Sequence, residues 1–240
     1  MQNIHQLITT TDGSHTLFHH ELNETYHSKN GAIQESLHVF IQNGLENFLN
    51  QNSIETIHIF EVGFGTGLNA FLTLKNATNK KINIKYTCLE AFPLSIDTIN
   101  QLNYLNKEND DLKLLFSKIH ECNWNEWIDI NEHFSIYKLE NKLEQITTNE
   151  LLQISIPFNI IYFDAFAPDK QPELWTTNIF KTIFDTMNIG SILVTYSAKG
   201  DVKRSLREAG FVVKRLDGPI GKRHMLCAKK QVHFDMHNDQ

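Results

Sequence analysis

The stretch from Ile57 to Asn69, IHIFEVGFGTGLN, constrains this chain more than any other: an apolar run breaks into three glycines at alternate positions. Such a run predicts a strand that feeds a helix through a tight turn. Gly63, Gly65 and Gly67 allow positive φ and leave no side chains between the turn and a ligand, while amides at the following helix start face outward. The spacing is Gly-x-Gly-x-Gly, not the Gly-x-Gly-x-x-Gly of dinucleotide folds, and Glu61 stands two residues before the first glycine. A carboxylate there would repel a pyrophosphate. It suits a cationic cofactor instead, and S-adenosylmethionine carries both an α-ammonium and a sulfonium. On this stretch alone, a Gly-rich loop in a Rossmann-like sheet with no ligand stays open as the plainer reading.

Around the turn, strands and helices alternate. Residues 4–30 alternate weakly and contain Asp12-Gly13, a hairpin signal, so two or three short strands are expected. Ala32 to Leu49 and Leu68 to Leu74 have helical spacing, Ile82 to Glu90 reads as a second strand, and residues 95–128 read as mostly helical, with Trp124 and Trp127 as core and cover. His133 to Glu140 is the expected third strand. Phe158 to Ala165 is the fourth, an almost continuous apolar run suited to the buried centre of a parallel sheet. Pro172 to Met187 is expected to be a helix, Ser191 to Tyr196 a strand and Gly200 to Glu208 a helix. Phe211 to Leu216 and His224 to Lys229 close the series as strands joined by DGPIGKR. The class is therefore α/β with a mostly parallel Rossmann-like sheet over residues 51–230. A hairpin and helix extension over 1–50 precedes it and a tail over 231–240 follows.

Glu61, Glu90, Glu140 and Asp164 all fall at predicted strand ends, on the carboxyl edge where such sheets bind ligands. Glu90, one strand-helix-strand unit after Glu61, stands where an acid reaches cofactor ribose hydroxyls. Asp164 closes the most buried strand, so its carboxyl needs a partner or a purpose. A cap for the helix near Pro172 is the alternative.

No apolar run approaches the ~20 residues of a membrane span, and the N-terminus lacks a basic start and an apolar signal core. Cys88, Cys122 and Cys227 are odd in number and far apart, as suits a reducing cytoplasm. The net charge of −6 argues against a non-specific nucleic-acid coat, yet Lys199 to Lys230 holds ten Lys and Arg against three Asp and Glu. That segment could dock a phosphate-rich partner, or be a solvated helix and strand ends. The i,i+4 pairs His15/His19 and His233/His237 fall in a predicted hairpin and in the tail, so no metal is expected.

The motifs YHSKNGAIQES from Tyr26, EVGFGTGLN from Glu61, LEAFPL from Leu89, DAFAPDKQPELWT from Asp164, and TYSAKGDVKRSLREAGF followed by GPIGKRHML span most of the chain. In these it resembles the methyltransferase of the MnmC type, in particular the stand-alone form, MnmD, a class I S-adenosylmethionine-dependent enzyme. Members methylate an aminomethyl group on the wobble uridine of certain tRNAs. The resemblance implies that Glu61, Gly63, Gly65 and Gly67 line the methionine end of the cofactor, Glu90 the ribose and Glu140 the adenine, with Asn69 also among the cofactor-binding residues. It implies that Tyr26 and Ser28 close over the cofactor and that Asp164 is the active-site acid beside the target amine. Phe166, Pro168 and Trp175 would shape the uridine pocket, and Lys222 and Arg223 would meet tRNA phosphate. Two positions depart from the pattern: Leu139-Glu140 replaces Gly-Asp at the third strand, and His224 stands where Glu is usual. No flavin motif follows, so plain 5-aminomethyl-(2-thio)uridine made by another enzyme is the expected substrate.

Methyl transfer from a sulfonium is an in-line displacement that needs a free amine lone pair ~3 Å from the methyl group, so positioning supplies much of the rate. An unshifted aspartate, with a carboxyl pKa near 3.9, is a poor base toward an alkylammonium, which favours an orienting role for Asp164. A class I methyltransferase acting on a protein or small-molecule amine keeps the cofactor and changes the partner. A catalytically idle RNA-binding protein would leave the Gly turn and Asp164 unexplained. A nicotinamide oxidoreductase is disfavoured by Glu61 and the glycine spacing.

Overall fold

The structure is a computed structural model and describes residues 4–231, so the His233/His237 pair and nearly all of the tail lie outside the described residues. Strands β1 (His5–Thr9), β2 (His15–His19) and β3 (Glu24–Thr25) form a separate three-stranded antiparallel sheet. Its first turn is tied by Asp12, whose carboxylate accepts from the Thr10 and Ser14 hydroxyls and from the Ser14 amide.

One helical rod follows: α1 (Ala32–Ser36), a π-helical segment (Leu37–Glu46) and α2 (Asn47–Leu49). The widened segment packs against Tyr162 of the main sheet. Phe40 packs on Tyr162, with ring centroids 5.1 Å apart, and Gly44 lies so close to that ring that a Cβ would stand 3.0 Å from Tyr162 Cε1. The Asn43 amide donates to the His38 carbonyl within the wide turn. Such bulges carry extra residues past a fixed contact.

The main sheet has eight strands. In chain order they are β4 (Thr56–Val62), β5 (Asn83–Glu90), β6 (Trp127–Asn131), β7 (Phe134–Glu140), β8 (Phe158–Phe163), β9 (Met187–Thr195), β10 (Val212–Asp217) and β11 (His224–Lys229). The spatial order is β10-β11-β9-β8-β4-β5-β7-β6. β7, β5, β4, β8 and β9 run parallel, while β6, β11 and β10 pair antiparallel at the two sides. The intervening helices are α3 (Leu68–Lys80), α4 (Ile96–Ile99), α5 (Asp110–Glu121), α6 (Thr148–Ile154), α7 (Thr177–Asp185) and α8 (Gly200–Glu208). Alternation divides the core between the two faces. Ile161 and Phe163 of β8 pack with Trp175, Phe180 and Leu206 on one side. Ile160 and Tyr162 pack with Val39, Phe40 and Ala70 on the other. No described helix is long and apolar enough to cross a membrane.

Three expectations change. Residues 95–128 hold two helices and then an edge strand, because Trp127 belongs to β6: its indole donates to the Ile154 carbonyl and Lys85 lies over its ring. The helix expected over 172–187 is a 3-10 turn at Pro172–Trp175, then α7, and Met187 already opens β9. Helix α6 adds to the expected series, although Thr147 and Glu150 form a capping box whose Thr-x-x-Glu spacing is visible in the chain.

Gly63 has φ 88°, and a Cβ on it would lie 2.6 Å from the Asp164 carbonyl oxygen, because the Asp164 amide donates to Val62 and draws the two strand ends together. Gly190 has φ 89° with open space beside it. Both Gly63→Ala and Gly190→Ala should cost the ~1 kcal/mol or more of a strained backbone. Only Gly63→Ala should cost at least ~1 kcal/mol beyond that, read as the difference between their urea midpoints; equal losses would remove steric contact as the reason for this glycine.

Candidate active site

The carboxyl ends of β4, β5, β7 and β8 line one cavity of about 1460 Å³, and the N-terminal sheet forms its opposite wall. A pocket for one small ligand holds ~300–1,000 Å³, so two ligands can lie side by side here. The floor is the glycine turn. Gly65 and Gly67 have φ 49° and 69°, and Gly67 caps α3 in the left-handed region. A Cβ at Gly67 would press to 2.6 Å from the His120 ring, whereas one at Gly65 would meet the Tyr26 ring at 3.1 Å.

Glu90 is fixed by backbone on both oxygens: the Gly65 amide donates to Oε2 and the Phe92 amide to Oε1, each at 2.9 Å. Burial nevertheless raises its carboxyl above the usual range. Its remaining lone pairs face the cavity as two adjacent acceptors. Glu61 is buried one layer deeper, behind Asn69, and is not part of the wall. Asn69 Nδ2 donates to Glu61 Oε1 at 2.9 Å and to Asp164 Oδ2 at 2.8 Å, so one amide joins the ends of β4 and β8. Burial holds the Glu61 carboxyl well above its ordinary value; the Asn69 hydrogen bond opposes this and the nearby Asp164 charge, more weakly, adds to it.

Asp164 is half-buried in the wall. Its carboxyl is pushed up to about 7, by burial foremost and then by Glu35, with the Asn69 hydrogen bond and Lys222 opposing. Phe166 and Pro168 continue the wall beyond it. Their loop is braced internally, since the Gln171 side chain accepts from the Phe166 amide and the Tyr196 hydroxyl donates to the Ala165 carbonyl.

A family profile described as S-adenosyl-L-methionine-dependent methyltransferase matches residues 81–231, more than half of the chain. The chain belongs to this family. The tRNA 5-methylaminomethyl-2-thiouridine biosynthesis bifunctional protein MnmC of Idiomarina loihiensis is 30% identical over 217 residues, which cover 85% of this chain and 35% of that protein. Its namesake in Leptospira borgpetersenii is 28% identical over 215 residues, covering 86% and 32%. The chain thus spans about a third of the length of these curated relatives. The crystal structure of MnmC2 from Aquifex aeolicus superposes with a TM-score of 0.76 at 27% identity, over 95% of this chain and 71% of that one. The CurJ carbon methyltransferase, with a TM-score of 0.51 at 11% identity over 85% and 56%, shares the fold.

The residues of this methyltransferase fit its cofactor on their own chemistry. Gly65 leaves open a cradle that a Cβ would fill, Glu90 offers paired acceptors, and Asn69 Oδ1 is buried without a hydrogen-bond partner among the described residues. Tyr26 covers the turn, its hydroxyl bonded to His5 Nε2 at 3.2 Å and its ring edge-on to Phe166 at 4.9 Å. Ser28 lines the same wall and donates its amide to Glu35. Glu140 is exposed at the far rim, with its amide on Asn125.

Four residues stand elsewhere than expected. Glu61 lies behind Asn69, and Gly67 faces the His120 ring, so neither lines the cavity as the methionine end was expected to require. Trp175 is buried and props the loop from behind, its indole donating to the Phe166 carbonyl at 2.9 Å, so it shapes the pocket without lining it. Lys222 turns into the cavity onto Glu35 and Tyr196, while its neighbour Arg223 stands at the rim. Glu35 and Tyr196 are the site residues that the sequence reading missed. An acid in the first turn of a helix reads as ordinary dipole matching, which hides Glu35. Tyr196 follows β9 directly on the same edge as the acids, a position that could have revealed it.

Cofactor affinity should depend on pH with a definite sign. The Asp164 carboxyl, pushed up to about 7, is partly protonated below that pH, the Glu61 and Glu90 carboxyls are raised by burial as well, and a ligand bearing an ammonium and a sulfonium favours the ionised forms. Binding should tighten from about pH 5 to about pH 8, by up to ~10-fold per pH unit for each proton released. Calorimetry in buffers of different ionisation enthalpy should record that release; a Kd flat across this range would separate these carboxylates from the charged end of the cofactor.

Proposed function

We propose that this chain transfers the methyl group of S-adenosylmethionine to the aminomethyl nitrogen of 5-aminomethyl-(2-thio)uridine at the tRNA wobble position, in the cytoplasm. The observation that carries this reading is Asp164: a half-buried carboxylate between the glycine turn and the Phe166–Pro168 wall, where an amine can lie between acid and cofactor. The similarity to MnmC and MnmC2 supports the choice of nucleoside.

When bound, the cofactor supplies an electrophilic methyl group on a positively charged sulfur. Glu90 would hold the ribose hydroxyls, and Tyr26 over the turn would exclude water. Asp164 accepts from the substrate ammonium, which orients the nitrogen. Its upward shift to about 7 also brings it nearer to an alkylammonium than an ordinary aspartate, so it can take up the proton that the nitrogen must lose. Asn69 keeps the carboxylate in place through Oδ2, leaving Oδ1 for the amine.

Lys203, Arg207 and Arg215 form the matching outer surface. They are close enough that Arg207 foremost, and Arg215 more weakly, press the Lys203 ammonium below its ordinary value. Lys203 and Arg207 share a face of α8 at i,i+4 and Arg215 lies on the adjacent β10, so the cluster suits a phosphate backbone. Arg207→Ala with Arg215→Ala should weaken tRNA binding and leave cofactor affinity unchanged. The salt dependence of tRNA binding should flatten by ~0.9 in the logarithmic slope for each phosphate that the variant no longer neutralises. An unaltered slope would move the tRNA to another surface.

Asp164→Ala should still bind the cofactor through the turn and Glu90, with only the loss in affinity that the removed charge accounts for, but at saturating cofactor it should lower methyl transfer to 5-aminomethyl-uridine tRNA by at least ~100-fold. Nucleoside mass spectrometry measures this directly, as product gains one methylene at the wobble uridine. Near-parental turnover would make Asp164 a structural cap.

A further inference from the structure

Lys222 and Glu35 come from opposite ends of the chain and meet inside the cavity. Lys222 Nζ lies 2.6 Å from Glu35 Oε1 and 3.8 Å from the centroid of the Tyr196 ring. Glu35 is buried, and its second oxygen accepts from the Ser28 amide, so both its oxygens are occupied. The loop that carries Lys222 is tied by backbone bonds from Lys222 to Pro219 and from Gly218 to Arg223. Gly221 of that loop lies against the Asn30 side chain, whose amide occupies the place of a Cβ, and so packs on the segment before α1.

A sheltered ion pair is a poor device for stability, since two apolar residues of similar volume hold a fold as well or better. Its position therefore calls for another account. Tyr196, the platform under the ammonium, donates its hydroxyl to the carbonyl of Ala165, the residue next to Asp164. Glu35, Lys222, Tyr196 and the Asp164–Ala165 backbone are thus one connected wall of the site.

We propose that Glu35 and Lys222 are positioning residues, a sheltered ion pair seated on Tyr196 whose opposite charges together set the field in which Asp164 receives the substrate amine. This rests on the methyl-transfer reading and assigns Lys222 to the active site and not to tRNA phosphate. The charges act on Asp164 with opposite sign: Glu35 favours its protonated form and Lys222 its ionised form. The other groups that face it are Glu61 through Asn69 and the Tyr196 hydroxyl, with Glu24 and the Lys199–Asp169 ion pair at the rim. His27, from the segment before α1, faces the pair but is held neutral at about pH 7, its pKa lowered to about 4 chiefly by burial. Neutralising either member of the pair then moves Asp164 in a direction fixed by the sign of the charge removed.

The test uses the full chain with Glu35→Gln, Lys222→Met, Lys222→Arg and the double variant Glu35→Gln/Lys222→Met. The Asp164 carboxyl is titrated by 13C NMR without cofactor, assigned by its loss in Asp164→Asn. Glu35→Gln should move the midpoint to lower pH and Lys222→Met to higher pH, each by ~0.5 unit or more, with Lys222→Arg close to the parent. The acid limb of the methyl-transfer pH profile should shift the same way. The double variant, which buries no unpaired charge, should fold and titrate near the parent even if a single variant does not. Midpoints that stay fixed, or that move in the same direction in both single variants, would overturn the proposal. Because the titration needs no tRNA, a parent inactive on 5-aminomethyl-uridine tRNA would refute the substrate and leave this result standing.

Discussion

A single amide group holds the centre of this molecule. Asn69 Nδ2 donates to carboxylates on two adjacent parallel strands, Glu61 of β4 and Asp164 at the end of β8. Without a donor between them, two buried acids at this separation would repel and at least one would stay protonated. The amide can face both only because Asn69 lies in the first turn of α3, and α3 begins there only because Gly67 turns the chain in the left-handed region. The glycines are thus required twice: for the space above the turn, and for the path that delivers Asn69 to the strand ends.

The sheet supplies the rest of the geometry. Parallel strands bring their carboxyl ends to one edge, and β4, β5, β7 and β8 each end there in glycine or an acid. Each acid then meets a different environment. Glu61 is wholly enclosed, Glu90 is caught by two backbone amides, Asp164 is half-exposed to the cavity, and Glu140 stands in solvent at the rim. Four similar groups thereby acquire different ionisation behaviour and access to the cavity, with burial as the main variable.

Most of this is legible in the chain because it is local. The alternate glycines, the apolar run of β8 and the acids at strand ends are patterns within a dozen residues, and they are enough for the sheet and the cavity edge. What escapes depends on tertiary partners. Strand β6 is five mostly half-buried residues at a sheet edge, and its tryptophan resembles a helix face until β7 and the Ile154 carbonyl give it a place. Lys222 looks like one more cation in a basic segment, because nothing in GPIGKR signals that its side chain folds back onto a glutamate 187 residues earlier. The motif around Trp175 assigns it to the pocket, but its indole satisfies the Phe166 carbonyl from the core side.

The N-terminal extension is best understood as the missing half of the site. An open parallel sheet offers a ligand only a floor, the strand ends and their loops. Here Tyr26 covers Gly65, His5 steadies the Tyr26 hydroxyl, Phe166 meets Tyr26 edge-on, and Glu35 carries a negative charge to the Asp164 wall. These contacts give the cavity two distinct ends. One lies beneath Tyr26, over the glycine turn and beside Glu90; the other opens past Phe166 and Pro168 toward the edge where α8 starts and β10 ends. Asp164 stands between them, so a methyl donor held at the first end and an amine entering from the second would meet at a carboxylate whose protonation changes near neutral pH.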